Sequence, residues 1–480
     1  MTTSLLRTGW YCDGQWLESE HTYEVNNPAD DSVVAHVAHV GEAETTRAIA
    51  AATAALPAWR ALTPKARAVV LQRWYQLILE NQEALAQLVV QEQGKVLAEA
   101  RGEVLYAASF IEWFAEEGKR ANGKTIPSTK AGNLILTLKQ PVGVVAVITP
   151  WNFPLAMLTR KLGPALAAGC TAIVKPANET PLSAFALLVL AEQAGVPAGV
   201  LNAVSGATVE IGHTLTHDDR VRKISFTGST AVGKLLMRDA ASSVKKLSLE
   251  LGGNAPFIVF DDADIDAAVE SAMAAKFRNS GQTCICVNRF YVQDGVYDRF
   301  VNKLADAARA LKVAPGLTPG AQQGPLIHRR AMEKVETHVK DAVQRGARLL
   351  CGGERHALGG SFYQPTVLAD ANEQMLLAHE ETFGPVAACF RFTTEDEVIA
   401  RANATPYGLA AYLWTRDLAR ALRVTPQLES GMVGVNEGII STEVAPFGGV
   451  KASGLGREGA DVGLDEYLET QYVNIGQIGS

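Results

Sequence analysis

The chain has 480 residues, of which 48% are hydrophobic and 20% charged, an ordinary composition for a globular protein of two or three domains. Its net charge of −7, with no basic block, argues against nucleic acid and anionic membrane surfaces as partners. The opening stretch MTTSLLRTGWYCDGQWLESE lacks an apolar core behind a basic start, and runs such as FALLVL (185–190) are too short to cross a membrane. A cytoplasmic protein is expected, or one in an organelle matrix after loss of a transit peptide.

The first part of the chain reads as helical. Thr63-Pro64 is a cap followed by a first-turn proline, and Val70, Leu71, Trp74, Leu77 and Ile78 then recur at helical spacing until Gly94. The segment from Glu99 to Arg120 continues in the same manner. From Asn133 the pattern changes: NLILTLKQ alternates weakly and predicts a strand. Short β-branched runs follow, separated by helix-length segments. VVAVIT (144–149) precedes a helix ending near Gly169. TAIVK (171–175) precedes a helix opening at Thr180-Pro181 and stopping at Gly195. VLNAV, KISF (223–226) and KLSLEL (246–251) each follow a further helix. Strands and helices in alternation predict an α/β fold, with parallel sheet covered on both faces. A second alternating series begins at PFIVF (256–260) and continues through a helix over 263–279 and a strand near 290–293, which predicts a second α/β domain.

The six cysteines are Cys12, Cys170, Cys284, Cys286, Cys351 and Cys389, too few and too scattered for a disulfide framework. Four of them read as small apolar packing residues. The stretch GQTCICVN holds the other two, and three readings compete for it. A metal site needs more ligands, and no CxxC or HxxxH partner lies nearby, so no metal is expected. A disulfide between strand residues i and i+2 would span Cα atoms ~6.5–7 Å apart, at the relaxed limit, and would suit a switch better than a staple. A nucleophilic thiol needs a base, an oxyanion site and an electron acceptor.

Candidates for those partners stand elsewhere in the chain. LELGGN places Glu250 at the end of a predicted strand, where parallel sheets keep their sites. TPWNFP ends another strand and offers the amide of Asn152. In SFTGSTAVG (225–233) a strand ends, a glycine turn follows, and a helix opens at Ser229-Thr230, where backbone N–H groups can receive a diphosphate. The pattern is G-x-x-x-x-G rather than the G-x-G-x-x-G of the common dinucleotide fingerprint. Taken singly, Cys284 reads as a buried thiol, Glu250 as a strand-end acid and Asn152 as a turn asparagine.

Together, TPWNFP, KPAN (175–178), FTGST, LELGGN, GQTC, EETFGP (380–385) and PFGG (446–449) resemble the aldehyde dehydrogenase superfamily in order and spacing over nearly the whole chain. AASFIEWFAEEGKR (107–120), KFRNSGQTCICVNR (276–289) and EVAPFGGVKASGLGREG (443–459) are most similar to bacterial succinate-semialdehyde dehydrogenases. The resemblance implies a Rossmann-type cofactor domain (1–120 and 142–250), an α/β catalytic domain (251–455) and a small β bridging arm (121–141 and 456–480) that joins subunits into a homodimer or homotetramer. It implies Cys284 as nucleophile, Asn152 in the oxyanion site and Glu250 as general base. It puts the cofactor against Trp151, Lys175, Asn178, Gly228, Ser229, Leu251, Glu381 and Phe383. Many NAD-using relatives carry glutamate where this chain has Asn178. A neutral residue there removes repulsion of a 2′-phosphate and leaves Lys175 free to pair with it, so NADP is expected to be preferred to NAD. Arg160, Arg278 and Ser441 match residues that hold a substrate carboxylate, and Cys286 matches a second cysteine that forms a reversible disulfide with the nucleophile. The expected reaction is oxidation of succinate semialdehyde to succinate, with breakdown of 4-aminobutyrate as its setting. Glutarate semialdehyde, another aldehyde, and a catalytically silent relative are the alternatives.

Overall fold

The computed structural model describes residues 5–477; the first four residues of the N-terminal stretch and residues 478–480 of the expected arm lie outside the described residues. Two large sheets organise the molecule. The first has eight strands in the order Gly454–Leu455, Lys246–Glu250, Val221–Thr227, Val144–Ile148, Thr171–Lys175, Leu201–Ala203, Trp10–Cys12, Gln15–Leu17. Its five central strands are parallel. Val144–Ile148 is the first of these in the chain, and later strands are laid down on both sides of it. The strand order therefore reverses between Val144–Ile148 and Val221–Thr227, and a crevice opens beyond the carboxyl ends of those two strands.

The inner strands are largely buried, Val144–Ile148 and Thr171–Lys175 being rich in β-branched residues and the latter buried along its whole length, as a sheet with helices on both faces requires. Proline-led starts fix several helices. Thr63 accepts a hydrogen bond from the Ala66 N–H at 3.2 Å ahead of the helix Pro64–Glu80. The helical run expected up to Gly94 is two helices, broken at Asn81, whose Nδ2 donates to the Leu77 carbonyl at 2.8 Å and whose backbone leaves the helical region.

The segment before these helices departs from the helical expectation for the first part of the chain. Trp10–Cys12, Gln15–Leu17, Thr22–Asn26 and Val33–Ala38 are strands. Each of the first two is only three residues long, too short for an alternating pattern to register. Trp10–Cys12 is nonetheless wholly buried and extends the first sheet antiparallel to Leu201–Ala203.

The second sheet has seven strands in the order Arg348–Cys351, Thr366–Ala369, Val386–Phe392, Val287–Gln293, Ala255–Val259, Ala410–Trp414, Met432–Val435, all parallel except the first. A third sheet joins Leu468–Ile475, Leu134–Pro141 and Thr125–Ile126, antiparallel. Among the described residues no helix is long and apolar enough to cross a membrane. Cys12, Cys170, Cys351 and Cys389 are free and buried.

The strand Gly454–Leu455, from the end of the segment expected in the second domain, instead closes the edge of the first sheet beside Glu250. Gly454 has φ +144°, and a Cβ on it would lie 1.9 Å from the Leu249 carbonyl oxygen. Gly454→Ala is expected to push this edge off the Glu250 strand and cost roughly 1–3 kcal/mol, read by denaturant unfolding.

Candidate active site

The carboxyl ends of the first sheet meet the amino ends of the second. Past Ile148 the chain turns through Thr149–Phe153, with the Thr149 N–H on the Lys175 carbonyl at 3.2 Å. Asn152 is buried, and its Nδ2 donates to the Gln282 carbonyl at 3.0 Å, which leaves its second N–H free. Its backbone carbonyl is fixed by Lys95 Nζ (2.8 Å) and Asn279 Nδ2 (3.0 Å). Lys95 is itself fully buried against Glu103, 2.5 Å away. Glu103 also accepts the Leu155 N–H, at the start of the helix Ala156–Ala168. This pair was missed in the sequence, although an acid on the apolar stripe of the helix Leu97–Glu117 is a signal for it.

Cys284 and Cys286 do not lie on a strand, as the disulfide geometry above supposes. They sit in a turn before Val287–Gln293, with the Cys286 N–H on the Thr283 carbonyl at 2.9 Å. Both thiols are free, and the Cys286 Sγ meets the Lys276 carbonyl at 3.1 Å. Just upstream, Asn279 and Ser280 have φ of +51° and +56°. Asn279 is held there by Glu99 (2.9 Å) and Gln93 (3.0 Å). Burial pushes the Cys284 thiol up to about 12; Arg160 opposes this, and Glu381 and Glu250 add to it. The free thiol therefore keeps its proton near neutrality and needs an acceptor to become a thiolate.

Glu250 ends its strand with a buried carboxyl group whose Oε2 has no hydrogen-bond partner among the described residues. Burial first, then the charge of Glu458, raises its proton affinity well above that of an ordinary carboxylate, against the pull of Arg160, Lys161 and Arg457. The two glycines that follow have a steric reason. A Cβ on Gly253 would lie 2.6 Å from the Cys284 carbonyl oxygen, and one on Gly252 would lie 2.9 Å from Glu381 Oε2.

One cavity of about 640 Å³ gathers most of the predicted residues. Cys284, Glu250 and Asn152 line it together with Arg160, Arg278 and Ser441. Trp151, Gly228, Ser229, Leu251, Glu381 and Phe383 line it too, with Trp151 edge-on to Phe383 at 5.5 Å. Lys175, Asn178 and Cys286 lie outside its walls. Lys175 Nζ contacts Asn178 Oδ1 at 3.2 Å, and Asn178 Nδ2 is anchored on the Gly206 carbonyl at 2.8 Å. Burial brings Lys175 down to about 8, partly offset by Glu179.

The two arginines differ. The Arg278 guanidinium lies 5.5 Å from the Phe153 ring centroid and has no ion-pair partner among the described residues. Arg160 is buried, and its Nε is 2.5 Å from the Glu458 carboxylate. Glu458 was not singled out in the sequence, because its partners lie far away along the chain.

The cofactor side fits a dinucleotide. The helix Thr230–Ala240 starts at the cavity wall, capped by the Ser229 hydroxyl, which accepts the Val232 N–H. Its first N–H groups have no acceptor within the helix and suit a diphosphate. Gly228 is a cradle that a side chain would fill, since a Cβ there would lie 2.4 Å from the Phe226 ring.

A parallel sheet read at its switch point, facing a thiol, a carboxyl group and an amide in one cavity, defines an aldehyde-oxidising dehydrogenase. The Aldehyde dehydrogenase family pattern matches residues 16–473, and the chain belongs to that family. It is an NAD(P)-dependent aldehyde dehydrogenase. It is 57% identical to the glutarate-semialdehyde dehydrogenase of Pseudomonas aeruginosa over 99% of both chains. It is also 57% identical to the NADP-dependent succinate-semialdehyde dehydrogenase of Escherichia coli over 99% of both chains, and to the 3-sulfolactaldehyde dehydrogenase of Pseudomonas putida over 99% of this chain and 98% of that one. The crystal structure of succinate-semialdehyde dehydrogenase from Burkholderia pseudomallei superimposes with a TM-score of 0.98 at 56% identity, covering 99% of each chain.

Proposed function

We propose that this enzyme oxidises a short aldehyde with an anionic group at its far end, succinate semialdehyde foremost, and prefers NADP+ to NAD+. One observation carries the substrate reading: Arg278, a cation with no ion-pair partner among the described residues, shares the cavity of Cys284. Ser441 supplies a hydroxyl in the same space. The substrates named for the three relatives agree in this feature, since succinate and glutarate semialdehydes carry a far carboxylate and 3-sulfolactaldehyde a sulfonate. Glutarate semialdehyde is the second reading, favoured by equal identity to its dehydrogenase.

In this reading Glu250, with its raised proton affinity, takes the proton of the Cys284 thiol. The thiolate attacks the aldehyde carbon and gives a thiohemiacetal on Cys284. The oxyanion is met by the free N–H of Asn152 and by the Cys284 backbone N–H, which has no acceptor among the described residues. Bound NADP+ supplies the hydride acceptor. A thioester remains on Cys284; once Glu250 has released the thiol proton to solvent, it removes a proton from the water that hydrolyses the thioester to the carboxylic acid and returns the thiolate. The first sheet would carry the cofactor and the second the nucleophile. The third sheet, with Leu134, Leu138, Tyr472 and Ile475 exposed, would serve as the bridging arm of a homodimer or homotetramer.

Glu250 must be ionised to act as base. With its proton affinity raised, kcat is expected to fall on the acid side while still above the ordinary carboxylate range. Glu250→Gln should abolish that limb and lower kcat by about 10²–10⁴-fold, read from kcat against pH. Steady-state kinetics with succinate semialdehyde, glutarate semialdehyde and an uncharged aldehyde of similar length test the substrate reading. One methylene separates the first two by about 10–200-fold at most. Arg278→Ala should raise KM for the charged substrates much more than for the uncharged one; an equal rise would remove the reading. Asn178→Glu places a carboxylate beside Lys175 and should shift the ratio of NADP+ to NAD+ efficiency toward NAD+ by roughly tenfold or more. An unchanged ratio would remove the cofactor assignment.

A further inference from the structure

Glu458 is a buried acid whose charge adds to the raised proton affinity of Glu250, and the steps above give it no part in holding the substrate. Its backbone is locked to Phe447 by two hydrogen bonds, Glu458 N–H to the Phe447 carbonyl at 2.8 Å and the reverse at 2.7 Å. Its carboxylate is 3% exposed and faces two consecutive cations of the helix Ala156–Ala168. Oε1 meets Lys161 Nζ, and Oε2 lies 2.5 Å from Arg160 Nε. One carboxylate thus serves two buried cations. Burial alone would favour its protonated form, but Lys161 and Arg160 outweigh this and keep it ionised.

The rest of the Arg160 guanidinium is nearly fixed. Nη2 meets the Met157 sulfur at 3.1 Å, and the group lies 4.0 Å from the Phe447 ring centroid. Nη1 is buried and has no hydrogen-bond partner among the described residues, and Nε meets Glu458 as an ion pair without a hydrogen bond. Leaving a charged donor unmade in the interior is costly, and a ligand acceptor would relieve that cost. Arg160, Met157 and Phe447 all line the cavity that contains Cys284.

We propose that Glu458 is a specificity-determining residue that holds Arg160 half-neutralised, so that the far-end anion is gripped by Arg278 and by the Nη1 end of an Arg160 whose charge is already partly answered. This rests on the reading that the cavity takes an aldehyde with a far anion. The arrangement has a kinetic logic. The far anion is the same in substrate and product, so a stronger grip would bind both alike and slow release without speeding the chemistry. A carboxylate already in place against Arg160 weakens that grip while it keeps the guanidinium oriented.

The test is Glu458→Gln, which keeps the shape and removes the charge. The KM for succinate semialdehyde and the inhibition constant of succinate are both expected to fall by about tenfold, the value of one charge-assisted hydrogen bond. The KM for butanal, of the same chain length and uncharged, should stay within about twofold. A purely structural role would move both KM values together, and that result, or an unchanged ratio between them, overturns the proposal. If Glu458→Gln does not fold, Glu458→Asp decides. It keeps the charge beside Lys161 but draws the carboxylate back from Arg160, and the charged-to-uncharged KM ratio should fall by a smaller factor; a wild-type ratio overturns the proposal. A charge-blind Arg278→Ala would instead reject the reading of the cavity itself. A charge-selective Arg278→Ala with a charge-blind Glu458 variant rejects only the role of Glu458.

Discussion

The site depends on the close approach of two backbones where the sheets meet. The Glu250 strand leaves the first sheet and passes between the Cys284 carbonyl and the Glu381 carboxylate, through a gap that admits only hydrogen at Gly253, against backbone, and that a Cβ on Gly252 would enter only by displacing the Glu381 carboxylate. The Gly253 N–H then bonds Glu381 Oε1 at 3.2 Å. This contact brings an acid from one sheet and a thiol from the other into the same small volume. It also buries the acid and crowds the half-exposed thiol with protein, and burial is the first cause of the raised proton affinity of each.

Charge compensation in this dry junction is arranged in layers. Lys95 and Glu103 neutralise each other beneath the Asn152 turn and spend their remaining donors and acceptors on backbone groups there. Behind Glu250, the carboxylate of Glu458 answers Arg160 and Lys161. Ion pairs buried this deeply add little net stability compared with apolar packing, but removing one member leaves an uncompensated charge. Their value here lies in orientation. Each holds a group that borders the cavity in one position.

Much of the fold was legible in the sequence because its strands are continuous β-branched runs, such as Thr171–Lys175, and its helices begin at capped prolines, as at Thr63-Pro64. The thiol, the acid and the amide drew attention at strand ends or in a glycine-marked stretch, but singly each read as an ordinary residue, and only the resemblance carried by the whole set of motifs gave them roles. The rest was hidden for physical reasons. Three-residue strands such as Trp10–Cys12 are too short to show a period, and Gly454–Leu455 has no strand composition at all. The cysteine pair looked like strand residues because the turn that holds it is closed only by the Cys286 N–H on the Thr283 carbonyl, which leaves no mark in the sequence. The partners of Arg160 and Lys95 were invisible because side-chain pairing across the fold leaves no local mark.

The left-handed torsions at Asn279 and Ser280 have a wider meaning. Non-glycine residues in that region cost of order 1–3 kcal/mol each and persist only where their surroundings impose them. Those surroundings include Gln93, Glu99 and the Asn152 carbonyl, all from the other half of the chain, as well as the Gly324 carbonyl, which accepts from the Ser280 hydroxyl at 2.8 Å. The bend that presents the sulfur is thus a joint product of both halves. A chain with its second sheet formed but its amino-terminal helices undocked keeps only the Gly324 and Gln282 contacts at that bend and lacks the three from the other half that orient Asn279.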